Sequence, residues 1–105
     1  MQRRFIFLIN PRAGVQKGKP LTQIIKERCH AAQQSFEIIH TAADGNYNFL
    51  IDKIQQQQIT DVIICGGDGT ISAVAAAIRH LSINIGIVPR GSGNGLAFAA
   101  GISKD

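Results

Sequence analysis

DVIICGGDGTISAVAAAIRH, residues 61–80, is the stretch whose reading decides the fold. Val62, Ile63, Ile64 and Cys65 form a short apolar run that reads as a buried strand. Gly66, Gly67, Asp68 and Gly69 then read as a turn, with a helix opening at Thr70. Ile71, Val74, Ala75, Ile78 and Leu81 recur at helical spacing and make one apolar stripe. Arg79 and His80 fall in what reads as the last turn, where cations suit the helix dipole. The glycines therefore lie between the carboxyl end of a strand and the amino end of a helix. In an open α/β sheet that is where ligands bind, and free backbone N–H groups there suit phosphate. Two readings of the glycines compete. A tight turn needs residues that tolerate positive φ, which glycine supplies. Such a turn does not need an acid in its middle, however, and Asp68 is a reason to look for chemistry.

The same pattern extends in both directions. Residues 4–9 are a second continuous apolar run after the arginines, read as a strand buried on both faces. Asn10-Pro11 ends it, and a polar, cationic loop follows to Lys19. A P-loop is considered there and fails on spacing, with Pro20 where Ser or Thr should stand. Pro20 suits a helix start, and Leu21, Ile24, Ile25, Cys29 and Ala32 continue as a helical stripe. Residues 36–40 read as a strand and 41–48 as a turn region. A helix then carries Tyr47, Leu50, Ile51 and Ile54 on one face, with residues 55–58 as its solvated end. Residues 84–88 are the fourth strand. A second glycine-rich loop follows with Gly91, Ser92, Gly93 and Asn94. A dinucleotide fingerprint is weak here, because Ser72 stands where the third glycine should be. The order β-α-β-α-β-α-β predicts a three-layer α/β fold, a mostly parallel, Rossmann-like sheet with helices on both faces and right-handed crossovers.

Composition sets the outer limits. The chain has 105 residues, 45% hydrophobic and 17% charged, which fits one small globular domain and excludes a disordered chain. No apolar run approaches the roughly 20 residues of a membrane span, and no secretory signal is apparent, so a cytoplasmic location is expected. Cys29 and Cys65 read as small buried residues without metal-ligand spacing. The net charge of +4 comes with no long basic run or aromatic platform, so nucleic acid is not an expected partner. Arg12, Lys17 and Lys19 would serve a polyphosphate, although a solvated loop explains them at least as well.

Asn10-Pro11 with Gly14, Thr41, GGDGT at 66–70 and PRGSGNGLA at 89–97 together resemble the catalytic domain shared by diacylglycerol kinases, sphingosine kinases and bacterial lipid kinases. The resemblance spans nearly the whole chain. GGDGT alone is shared with NAD kinases and phosphofructokinases, whereas the second loop looks most like the sphingosine-kinase and bacterial branch. Where family members often carry Gly-His-Ala, this chain has Gly45-Asn46-Tyr47, and no role of that histidine is carried over.

The resemblance implies an ATP-dependent lipid kinase with Mg²⁺, acting on a hydroxyl of a diacylglycerol or sphingoid-type acceptor. It implies that Gly66, Gly67, Gly69 and Thr70 hold phosphates and that Gly91, Ser92, Gly93 and Asn94 cradle the nucleotide, with a helix cap as the other reading of Asn94. Asn10 and Thr41 would make further nucleotide contacts. Asp68 is the catalytic candidate, as general base or as a Mg²⁺ partner. Residues 1–105 would be the nucleotide-binding domain, with a β-rich acceptor domain expected beyond them. Peripheral membrane contact and a homodimer stay open. The other function classes are an NAD kinase-like enzyme and a non-catalytic nucleotide-binding module.

Overall fold

The computed structural model describes residues 3–10, 15–16, 19–41 and 45–88, with residues 15–16, 19–20 and Asp68 described by backbone alone. The elements are β1 (Arg4–Ile9), β2 (Val15–Gln16), β3 (Lys19–Pro20), α1 (Leu21–Ala31), β4 (Ser35–His40), α2 (Phe49–Gln57), β5 (Asp61–Cys65), α3 (Asp68–Ile78) and β6 (Asn84–Val88). Four strands form one parallel sheet in the order β4-β1-β5-β6. Strands that are apolar on both faces need cover on both, and the helices supply it. Phe5, Phe7, Ile9, Ile63, Cys65 and Val88 pack with Leu21, Ile25 and Cys29 of α1. On the other face Ile6, Leu8, Val62 and Ile64 meet Leu50 and Ile54 of α2 and Val74 and Ile78 of α3. The three-layer expectation therefore holds.

The chain reverses direction across the sheet once. From β1 it steps to β4 on one side, then returns past β1 to β5 and on to β6. Its helices change face at the same reversal, as crossovers of one constant hand require. The connections leaving the adjacent strands β1 and β5 therefore diverge to opposite faces and open a crevice between them, the topological switch point of such sheets.

Several local expectations are corrected. The helix opens at Asp68 rather than Thr70, because the first turn of a helix tolerates glycine and favours an acid. Arg79 is its C-cap and His80 lies beyond it, so neither is in the last turn. Ala32 is exposed and follows the end of α1. The loop before Pro20 contains a short antiparallel pair, β2 with β3. β6 is incompletely covered, since Ile85 is 38% and Ile87 45% exposed. Among the described residues no helix is long and apolar enough to cross a membrane.

Candidate functional site

The register of the sheet aligns the carboxyl ends of all four strands. His40 pairs with Ile9, Ile9 with Cys65 and Cys65 with Val88. Two backbone bonds carry the alignment a step further: Thr41 N–H donates to Ile9 O at 3.0 Å, and Asn10 N–H donates to Cys65 O at 3.4 Å. Thr41, Asn10 and Gly66 thus stand side by side along one edge, across about 10 Å at ordinary strand spacing. Asn10, Thr41, Gly66 and Thr70 are half-buried, while Gly67 and Gly69 are exposed. The backbone of Asp68 is the first residue of α3; its carboxylate lies outside the described atoms. Gly91, Ser92, Gly93 and Asn94 also lie outside the described residues, as do Arg12 and Lys17.

The backbone of the turn does not bear out the expectation that its glycines serve positive φ. Gly67, the N-cap of α3, has φ −93° and ψ −178°, an extended conformation open to any residue. Neither Gly66 nor Gly69 has positive φ; among the described glycines only Gly45 does, at +71°. Nor does packing require them. Among the described residues, a Cβ at Gly67 or Gly69 would meet nothing within 4 Å, and one at Gly66 would come no closer than 3.7 Å to Thr70. Backbone conformation and internal contacts both leave these glycines unexplained. What they do is keep side-chain bulk away from the amino end of α3, where the dipole is positive and the first-turn N–H groups point outward. The first intrahelical bond, Ile71 N–H to Gly67 O at 3.1 Å, closes behind them, and a glycine cap brings no side-chain oxygen of its own.

Cys65 ends β5 directly beneath this turn, but it is buried, and burial pushes its thiol up to about 12. A thiol held protonated is neither nucleophile nor metal ligand. No group of three His, Cys, Asp or Glu side chains gathers among the described residues. A depression of about 890 Å³ opens at the opposite, amino edge, lined by Arg4, Gln58, Thr60 and Asn84 among others. The Arg4 guanidinium there donates to Gln57 O at 3.0 Å.

One residue at that edge had no role in the sequence reading. Phe49 opens α2 and is 46% exposed, while Tyr47 beside it is 2% exposed. The signal was a large ring lying off the helix's apolar stripe.

Residues 4–105 match the diacylglycerol kinase catalytic domain family. An uncharacterized protein of Synechocystis is 33% identical over 90% of this chain and 24% of its own length. Sphingoid long-chain bases kinase 1 of Arabidopsis thaliana is 30% identical over 90% of this chain and 14% of its own. A diacylglycerol kinase crystal structure from Bacillus anthracis superposes with a TM-score of 0.61 at 23% identity, covering 86% of this chain and 31% of that one. The chain thus spans a third or less of these relatives.

Proposed function

Since this chain belongs to the diacylglycerol kinase catalytic domain family, we propose that it is the nucleotide-binding domain of an ATP-dependent lipid kinase. The observation that carries this reading is the set of glycines at 66, 67 and 69, which neither φ nor packing among the described residues requires. Phosphoryl transfer asks a protein mainly to position the phosphates and to stabilise their charge. Backbone N–H groups of 66–70 would hold them at the positive end of α3, with the Thr70 hydroxyl as an added donor. Asn10 and Thr41, aligned on the same edge, would contact the nucleoside. Gly91, Ser92, Gly93 and Asn94 would cradle it from the other side, as the family resemblance implies.

In the reaction the acceptor hydroxyl gives its proton to the Asp68 carboxylate as its oxygen bonds to the γ-phosphorus. The bond from that phosphorus to the β–γ bridging oxygen breaks, and ADP leaves. The described residues offer no cage for a metal. Mg²⁺ suits such an edge, because it is commonly held by substrate phosphates with one or two carboxylates. Asp68, directly or through water, is the residue that would hold it, and the ion would neutralise phosphate charge. The acceptor is a lipid alcohol of the diacylglycerol or sphingoid kind, presented by a second, β-rich domain.

The test is Asp68→Asn in the full-length kinase, with ATP affinity and lipid phosphorylation both measured. A fall in turnover of about 10²-fold or more with ATP affinity retained is expected for a general base. Undiminished turnover removes Asp68 from the chemistry.

A further inference from the structure

The segment before α2 inverts the usual placement of its two rings. Tyr47, which carries a hydroxyl, is sealed in the core with Leu50 and Ile54. Phe49, which has no polar group, stands 46% exposed. The arrangement is built rather than frayed. Asn48 N–H donates to Asn46 Oδ1 at 3.0 Å and fixes the turn. The Phe49 ring leans on Tyr47 with centroids 6.3 Å apart and planes tilted by 36°. A local choice that runs against hydropathy marks a place where something other than folding sets the residue.

Its position says what that something is. α2 and α3 lie side by side on one face of the sheet, and both open at the carboxyl edge. Neighbouring helix axes are about 8–10 Å apart, so the amino end of α2, where Phe49 lies, is about one helix spacing from the amino end of α3. This is the separation that a ribose puts between a phosphate group and a base. Thr41, at the end of β4, lies on the same side of Asn10 as α2, whose Lys53 reaches Glu37 of β4 at 2.9 Å.

We infer that Phe49 is a stacking platform for the nucleotide's base, an inference that rests on the reading of 66–70 as the phosphate site. The exposed face of the ring meets the base and Tyr47 supports it from behind.

Residues 1–105 contain no tryptophan, so Phe49→Trp in the full-length kinase, read as the difference from the unsubstituted enzyme, places a reporter at the site. ATP is expected to quench its fluorescence. Inorganic triphosphate, followed by calorimetry, is expected to displace ATP without quenching. Phe49→Ala should weaken ATP binding about tenfold, a typical stacking contribution, and leave triphosphate binding unchanged. If both ligands bind and neither alters the tryptophan signal, the phosphate site stands and the platform is overturned. A response to phosphatidylglycerol vesicles but not to ATP would assign the ring to lipid and also overturn it. If neither ligand binds, the phosphate-site reading fails and the platform with it.

Discussion

The Arg3 guanidinium clamps the Asp61 carboxylate in a two-point bond, Nε to Oδ1 at 3.3 Å and Nη2 to Oδ2 at 2.5 Å. Asp61 is 1% exposed at the start of β5. Thr60 Oγ donates a third bond to Oδ1 at 2.6 Å, and the guanidinium also lies 4.9 Å over the Phe5 ring. Hydrogen bonding to Asp61 raises the Arg3 pKa further, so the guanidinium stays charged. Arg3→Ala strands a buried carboxylate and should cost about 1–3 kcal/mol in urea unfolding, the lower part of the range because the Arg3 side chain is 44% exposed. Arg3→Leu with Asp61→Leu should recover part of that loss.

Lys53 and Glu37 make the opposite kind of pair. Their nitrogen and oxygen are 2.9 Å apart, but the side chains are 24% and 42% exposed. Lys53→Ala should change stability by less than about 0.5 kcal/mol, and 1 M salt should remove even that difference.

Gly69→Ala separates folding from binding. The position lies in the first turn of α3, and a methyl there would meet nothing within 4 Å among the described residues. Alanine should raise thermal stability by up to about 1 kcal/mol through helix propensity. Nucleotide affinity should fall at least tenfold, because the methyl occupies space proposed for phosphate. Unchanged ATP affinity in a calorimetric titration would show that the gap is not a ligand seat.

The two thiols give the chain an alkaline limit. Burial raises Cys29 to about 11 and Cys65 to about 12, from an ordinary value of 9.0. In the unfolded chain both ionise near pH 9, so the folded state then holds more protons. Stability from the thiols is complete below about pH 9 and declines as pH rises toward 11–12. Urea midpoints from pH 7 to 11 should show this decline, and Cys29→Ala with Cys65→Ala should flatten it. At pH 8 neither native thiol should react with iodoacetamide.

The sheet was legible because its strands are unbroken apolar runs. The bounds of β1 and β6 follow directly from residues 4–9 and 84–88. The start of α3 was misjudged because Asp68 and Gly69 have turn composition, and only the backbone path shows that they already wind as a helix. The clamp between Arg3 and Asp61 joins residues far apart in the chain, and no local pattern announces it. The helical spacing already put Tyr47 on the apolar face and left Phe49 off it, as the burial shows, although hydropathy alone would have placed the two the other way round. Of the candidate site, the 66–70 turn was read from its place between a strand and a helix, Asn10 and Thr41 from the family resemblance, and the register puts them on one edge. That neither φ nor the described neighbours of Gly66, Gly67 and Gly69 call for glycine could only come from the backbone and the space around it.

The even alignment of the four strand ends makes strand length a ruler for the site. Adding one residue within β5 would swap the partners of Ile63 and Ile64 between the two layers and push the turn beyond its neighbours by about 3.3 Å. Lengthening the 79–83 connection on the far side disturbs neither. Insertion scanning should therefore find this domain rigidly metered inside its strands and permissive below them.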